Sequence, residues 1–87
     1  MKRDIWLSYE ETWKLGMILN KWRKDNGLKL CELAELTGYK NAKLLAKGRL
    51  KHVPKDKADA ILELIGKDNV RHIASEFNWK EIPYYAS

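Results

Sequence analysis

Residues 30–48, LCELAELTGYKNAKLLAKG, form the stretch that decides the fold. Between Leu30 and Thr37 apolar residues recur at intervals of three or four, which predicts a short helix that ends at Gly38. The same spacing from Asn41 to Lys47 predicts a second short helix that ends at Gly48. Two short helices joined by a tight turn are typical of a helix-turn-helix motif.

The apolar side chains of these two helices are expected in the core. They are Leu30, Leu33, Ala34, Leu36, Ala42, Leu44 and Leu45. Cys31 is also expected to be a small buried residue among leucines.

The residues before this stretch predict a longer helix. Ser8 and Glu11 form a capping-box pattern at its start, and Asn26 with Gly27 indicates its end. An apolar stripe of Leu15, Ile18, Leu19 and Trp22 predicts its buried face. Gly16 inside this helix suggests close contact with another helix, because glycine is otherwise unfavourable there.

Two more helices are predicted after the basic segment. The fourth follows Pro54, buries Ala58, Ile61, Leu62 and Ile65, and ends at Gly66. The fifth is predicted from Asn69 to Phe77, capped by Asp68. No segment alternates with the two-residue period of a strand. We therefore expect one all-α domain over residues 1–87, a small five-helix bundle with a helical core at about 8–77 and a C-terminal arm at 78–87.

Part of this pattern resembles a known family. The residues from Leu33 to Tyr39, LAELTGY, are similar to the LAxxxG turn motif of the lambda-repressor-like (Cro/C1, XRE) proteins. Pro54 with residues 60–66 resembles the fourth helix of that family, and residues 19–27 resemble its first helix and the following turn. The resemblance covers about residues 19–66. It implies a phage-like transcriptional regulator, of repressor type, that places its third helix in the major groove of duplex DNA.

A weaker resemblance points to another kind of DNA-binding protein. The segment from Gly48 to Pro54 is similar to the loop that follows the recognition helix in excisionase and MerR-like proteins. That resemblance implies an architectural DNA binder with a wing of short strands. No hairpin pattern follows Pro54, so this interpretation ranks second.

The positive charge of the chain is concentrated in one segment. The formal net charge is +5, from 17 basic and 12 acidic residues. Six basic residues and no acidic residue lie from Lys40 to Lys55, so this segment carries +6 and the rest of the chain −1. Such a cluster is typical of a phosphate-binding surface, although a solvated lysine-rich face would look the same in sequence.

The residues at the start of the third helix are the candidates for reading bases. They are Lys40, Asn41 and Lys43, of which Asn41 suits adenine and Lys43 suits guanine acceptors. Asn41 could instead serve only as a helix cap. The candidates for phosphate contacts are Tyr39, Lys47, Arg49, Lys51 and His52, while Lys21, Arg23 and Lys24 suit either flanking phosphates or solvent.

Other function classes find little support in the sequence. Paired carboxylates, a Ser-His-Asp pattern and a glycine-rich phosphate loop are all missing, so we expect no enzyme and no small-molecule substrate. One cysteine and two histidines show no metal-ligand spacing, and no cofactor is expected. The sequence contains no apolar run of membrane-spanning length and no secretion signal, which favours a cytoplasmic protein without a membrane partner.

The main alternative is a protein-binding module, such as a viral or mobile-element inhibitor of a host factor. Its contact surface would consist of the aromatic residues Trp6, Trp13, Trp79, Tyr84 and Tyr85. In so small a domain these residues are more readily explained as core. Repressor-like domains commonly bind DNA as two-fold dimers, and the sequence leaves the oligomeric state open.

Overall fold

The computed structural model describes residues 6–79. This part of the chain contains five helices and no strand. The helices are α1 (Tyr9–Asp25), α2 (Leu30–Thr37), α3 (Ala42–Ala46), α4 (Lys55–Ile65) and α5 (Lys67–Glu76). The predicted all-α class is confirmed. Within the described stretch, no helix combines the length and the apolar character needed to cross a membrane. Most of the predicted C-terminal arm, with Tyr84 and Tyr85, lies outside these residues.

The first helix begins at the capping box predicted from the sequence. The Glu11 backbone N–H donates to Ser8 Oγ at 3.2 Å, and the Ser8 N–H donates to Glu11 Oε1 at 3.1 Å. At the other end Asn26 is the C-cap, and its side-chain amide donates to the Trp22 carbonyl at 2.8 Å. These bonds satisfy backbone groups that a helix leaves without partners at its ends. Both ends of α1 therefore follow from local sequence.

All five helices contribute to one hydrophobic core. The stripe predicted on α1 is buried, with Leu15, Ile18 and Leu19 fully inaccessible to solvent. Helix α3 packs against both α1 and α2. Its approach to α1 is close, because a Cβ on Gly16 would overlap with the carbonyl oxygen of Leu45. The four apolar residues predicted on α4 are also buried.

Three apolar residues of α2 and α3 are exposed, against expectation. Leu44 is 40% exposed and Leu36 is 50% exposed. Helix α3 has only five residues, and its buried side is made by Ala42, Leu45 and Ala46, so Leu44 lies to one side of the contact. Cys31 is exposed too, because α2 turns Leu33 inward and places position 31 away from the core. The predictions that Leu36, Leu44 and Cys31 are buried were wrong.

The fifth helix begins earlier than predicted. Gly66 separates α4 from α5, with φ 94° and ψ 140°, and α5 starts at the next residue, Lys67. Asp68 therefore lies in the first turn and is not the cap; its carboxylate is favourable there because of the positive end of the helix dipole. Phe77, expected as the last helical residue, is the C-cap and is partly buried.

The residues before α1 pair with the loop between α3 and α4. The Leu7 N–H donates to the Val53 carbonyl at 2.9 Å, and Trp6 forms an isolated antiparallel bridge with Pro54. Leu7 and Val53 are both buried. This short pairing anchors the end of the basic segment to the body of the protein.

Candidate nucleic-acid interface

The connection between α2 and α3 is a four-residue turn. Gly38 is the C-cap of α2, with φ 67°, a left-handed conformation that glycine adopts without strain. Thr37 Oγ1 donates to the Leu33 carbonyl at 2.6 Å and accepts the Tyr39 N–H at 3.2 Å. The Ala42 N–H donates to the Tyr39 carbonyl at 3.0 Å, which starts α3. These bonds hold the start of α3 in a defined position relative to α2.

The side of α3 opposite the core faces solvent. Five residues are exposed on this side and at the two ends of the helix. They are Lys40, Asn41, Lys43, Leu44 and Lys47. Lys43 and Lys47 are four positions apart and so share one helical face. We call this set the α3 face. It combines three cations, one amide and one leucine, and every predicted base-contacting residue belongs to it.

Asn41 occupies the N-cap position of α3, but its side chain makes no capping hydrogen bond. Its backbone carbonyl accepts the Leu45 N–H at 3.0 Å. The exposed amide group has no hydrogen-bond partner among residues 6–79, so its donors and acceptor are available to a ligand. The alternative explanation, that Asn41 is present only as a side-chain cap, finds no support in this geometry.

The cations of the basic segment are mostly without acidic partners. Within residues 6–79, only Lys55 of the six forms an ion pair with a carboxylate, at 3.1 Å from Asp59. The other five, all exposed, are Lys40, Lys43, Lys47, Arg49 and Lys51. In contrast, Lys14 and Lys21 of α1 pair with Glu10 and Asp25. The positive potential of the segment is therefore not neutralised locally.

Two of the predicted phosphate-contacting residues lie in a cleft. Lys47 and Arg49, at the exit of α3, line an open cleft of about 400 Å³ together with Arg23 and Lys24 from the last turns of α1. The remaining lining residues are Asn20, Leu30 and Ala46. We call it the α1–α3 cleft. Within the part of the chain that the structure describes, the four charged residues that line it are all basic.

The other three predicted phosphate-contacting residues lie elsewhere. Tyr39 is partly buried and packs against the core. Lys51 is exposed but does not line the α1–α3 cleft. His52 Nδ1 lies 2.9 Å from the Leu7 carbonyl, and its ring borders a separate pocket beside Trp6. The structure therefore places Lys47 and Arg49 on one cleft and His52 on a different pocket.

The aromatic residues were expected in the core, which is wrong for two of them. Trp6 is 54% exposed and Trp13 is 43% exposed, and neighbouring Tyr9 is 57% exposed. Trp79 is partly buried, with its ring centroid 4.9 Å from that of Phe77 and 6.4 Å from that of Trp13. Lys14 Nζ lies 5.6 Å from the Trp79 ring centroid. An aromatic surface therefore exists near the start of α1.

Sequence reasoning missed two parts of this interface. Leu44 was assigned to the core, because the apolar spacing of so short a helix does not distinguish it from its buried neighbour Leu45. The proximity of Arg23 and Lys24 to Lys47 and Arg49 had no sequence signal, because more than 20 residues separate the two pairs. Among the described residues, no cluster of three His, Cys, Asp or Glu side chains could hold a metal ion.

Comparison with known proteins identifies no relative. No family model, no curated protein and no solved structure matches this chain. The helix-turn-helix assignment and the resemblance to lambda-repressor-like proteins therefore depend only on the residues quoted above.

Proposed function

We propose that this protein binds duplex DNA and places α3 in the major groove, as a sequence-specific regulator of repressor type. The observation that carries the proposal is the α3 face, where exposed cations with no carboxylate partner among residues 6–79 accompany an exposed amide. Clustered cations repel one another, and a polyanion relieves this repulsion. The major groove admits an α-helix whose side chains reach base edges.

In this proposal the polar residues of the α3 face and the cations of the loop that follows it divide into two roles. Lys40, Asn41 and Lys43 contact bases, with Asn41 pairing to adenine N6 and N7 and the lysines reaching guanine O6 and N7. A good bidentate contact discriminates between bases by roughly 1 to 3 kcal/mol. Lys47, Arg49 and Lys51 contact phosphates, which supplies affinity without sequence information.

The experiment that tests the proposal is a gel-shift titration at two or more salt concentrations. It compares the wild type with Lys43→Ala, on random duplex and on duplex selected for binding. We expect affinity to fall steeply with salt, because bound cations displace condensed counterions from DNA. Lys43→Ala is expected to weaken binding to the selected duplex more than to random duplex.

The matched control is Arg71→Ala, which removes one positive charge from an exposed position on α5, a helix that packs against α1 and α4. This variant should bind like the wild type. If the wild type binds no duplex at low salt, or if both variants lose affinity equally on both duplexes, α3 does not read DNA.

A second candidate function, protein binding, is favoured by the exposure of Trp6, Tyr9 and Trp13. Tyr9 and Trp13 are four residues apart and share one face of α1. Tryptophan and tyrosine are enriched at protein interfaces because they combine a large apolar area with a polar group. A pull-down in which Trp13→Ala abolishes capture of a partner and Lys43→Ala does not, with no DNA binding, would favour this function.

A further inference from the structure

We propose that the α1–α3 cleft holds a phosphate group of the DNA backbone and so adds the end of α1 to the interface. This inference depends on the DNA binding proposed above. It assigns a phosphate contact to Arg23 and Lys24. The sequence alone did not decide whether these two residues contact phosphates or only face solvent. The binding group is a phosphodiester, which carries no base information.

The first argument is the charge of the cleft. Two pairs of basic residues from distant parts of the chain, Arg23 with Lys24 and Lys47 with Arg49, line one open volume of about 400 Å³. Among residues 6–79, no carboxylate lines it. Asp25 is the next residue after Lys24, but its Oδ1 accepts a hydrogen bond from Lys21 Nζ at 3.0 Å. The nearest acidic group in sequence is therefore paired with a lysine that does not line the cleft.

The second argument is that Arg23 is already held in place. Its Nε and Nη2 donate to Asn20 Oδ1 at 3.2 Å and 3.0 Å, and its Nη1 donates to the Leu28 carbonyl at 2.9 Å. A guanidinium has five N–H donors, so two stay available after these three bonds. Because the side chain is ordered before a ligand arrives, binding costs less conformational entropy than it would with a mobile arginine.

Helix dipoles act against an anion here, but they are too weak to decide the outcome. The cleft lies at the last turns of α1 and α3, and a helix C-terminus is equivalent to roughly −0.5 of an elementary charge. Two such ends contribute about −1, the start of α2 at Leu30, which also lines the cleft, contributes about +0.5, and four cationic side chains outweigh the difference. The net potential of the cleft stays positive and suits a phosphate.

The position of the cleft also fits the α3 face. Lys47 belongs to both, since it lines the cleft and shares a helical face with Lys43. A phosphate held between α1 and α3 would therefore sit beside the groove that α3 enters. Phosphate contacts of this kind fix the orientation of a protein on duplex DNA.

The test measures the salt dependence of binding for Lys24→Gln. Lys24 is exposed and forms no ion pair within residues 6–79, so its loss should leave folding intact. We expect the slope of log K against log salt concentration to become shallower by about 0.9, the value for one phosphate contact. The loss of affinity should be equal on selected and random duplex. The matched control, Arg71→Gln, removes the same charge from α5 and should leave the slope unchanged.

A second variant, Arg23→Lys, keeps the positive charge but loses the planar guanidinium group that donates to Asn20 and Leu28. It should weaken DNA binding without changing the slope of log K against log salt concentration. Thermal denaturation will show whether the variant folds. If the wild type binds DNA and Lys43→Ala weakens it while Lys24→Gln keeps the wild-type slope, the cleft assignment is overturned and the proposed function stands. If neither the wild type nor any variant binds duplex DNA, the cleft assignment and the proposed function are both overturned.

Discussion

Gly16 of α1 lies directly against the carbonyl group of Leu45 in α3. The contact is so close that any side chain on residue 16 would meet the Leu45 oxygen, which is a backbone atom and cannot rotate away. It determines how near α3 lies to α1 and therefore how the α1–α3 cleft is formed. The glycine that the sequence marked as unusual is the residue that allows this packing.

Gly16→Ala should lower the free energy of unfolding by about 1 to 3 kcal/mol, the usual cost of overpacking. In an open helix the same change would raise it by about 1 kcal/mol, because alanine is the better helix former. Chemical denaturation of both proteins measures the difference. A more stable Gly16→Ala variant would show that α1 and α3 are not in close contact.

Leu44 is expected to contact a thymine methyl group if α3 enters the major groove. Leu44→Ala should then weaken binding to selected duplex, while stability changes little because the side chain is 40% exposed. Replacing thymine by deoxyuridine in the contacted position removes one methyl group, worth about 0.8 kcal/mol or roughly fourfold in affinity. The wild type should show this loss and Leu44→Ala should not. Equal losses in the two proteins would exclude the contact.

Thr12 is fully buried, and its hydroxyl has no hydrogen-bond partner among residues 6–79. Thr12→Val keeps the shape and removes a polar group whose burial is unfavourable, so stability should rise by about 1 kcal/mol. Thr12→Ser keeps the hydroxyl and loses a methyl group, so stability should fall by a similar amount. Thermal and urea denaturation of the two variants and the wild type measure these changes in stability. A destabilised Thr12→Val variant would indicate that the hydroxyl has a partner.

Cys31 should react with a thiol reagent in the folded protein, because its side chain is exposed. The rate should be similar before and after denaturation, with one thiol labelled per chain. Cys31→Ser should change stability by less than about 0.5 kcal/mol, as is usual for exposed positions. Strong protection of the thiol in the native state would contradict the orientation of α2 described above.

Lys21 should show a pKa above its usual value of 10.5. Its hydrogen bond and attraction to Asp25 are the main causes, and Glu76 at 3.8 Å adds to them. A raised lysine pKa means that the interaction stabilises the fold below pH 10.5 and is lost as the pH rises through the higher folded-state value. An NMR titration of the lysine side chain should show a larger decrease in pKa for Asp25→Asn than for Glu76→Gln. The reverse order would rule out Asp25 as the main partner.

Local sequence determined most of the helices. The capping box at Ser8, the glycine at position 38 and the apolar stripe of α4 are patterns within a few residues, and each gave the observed element. They succeed because helix ends and amphipathic faces depend on neighbouring residues. The concentration of cations from Lys40 to Lys55 is likewise a property of the sequence itself.

Tertiary structure alone decided which parts of α2 and α3 face solvent and which residues from distant segments meet. The exposure of Leu44 follows from how α3 packs on α1 and α2, and that of Cys31 follows from how α2 packs on α3 and α4. The α1–α3 cleft joins Arg23 and Lys24 to Lys47 and Arg49, across more than 20 residues of chain. Contacts between distant segments depend on the docking of whole helices, and apart from Gly16 no local pattern indicated which helices meet.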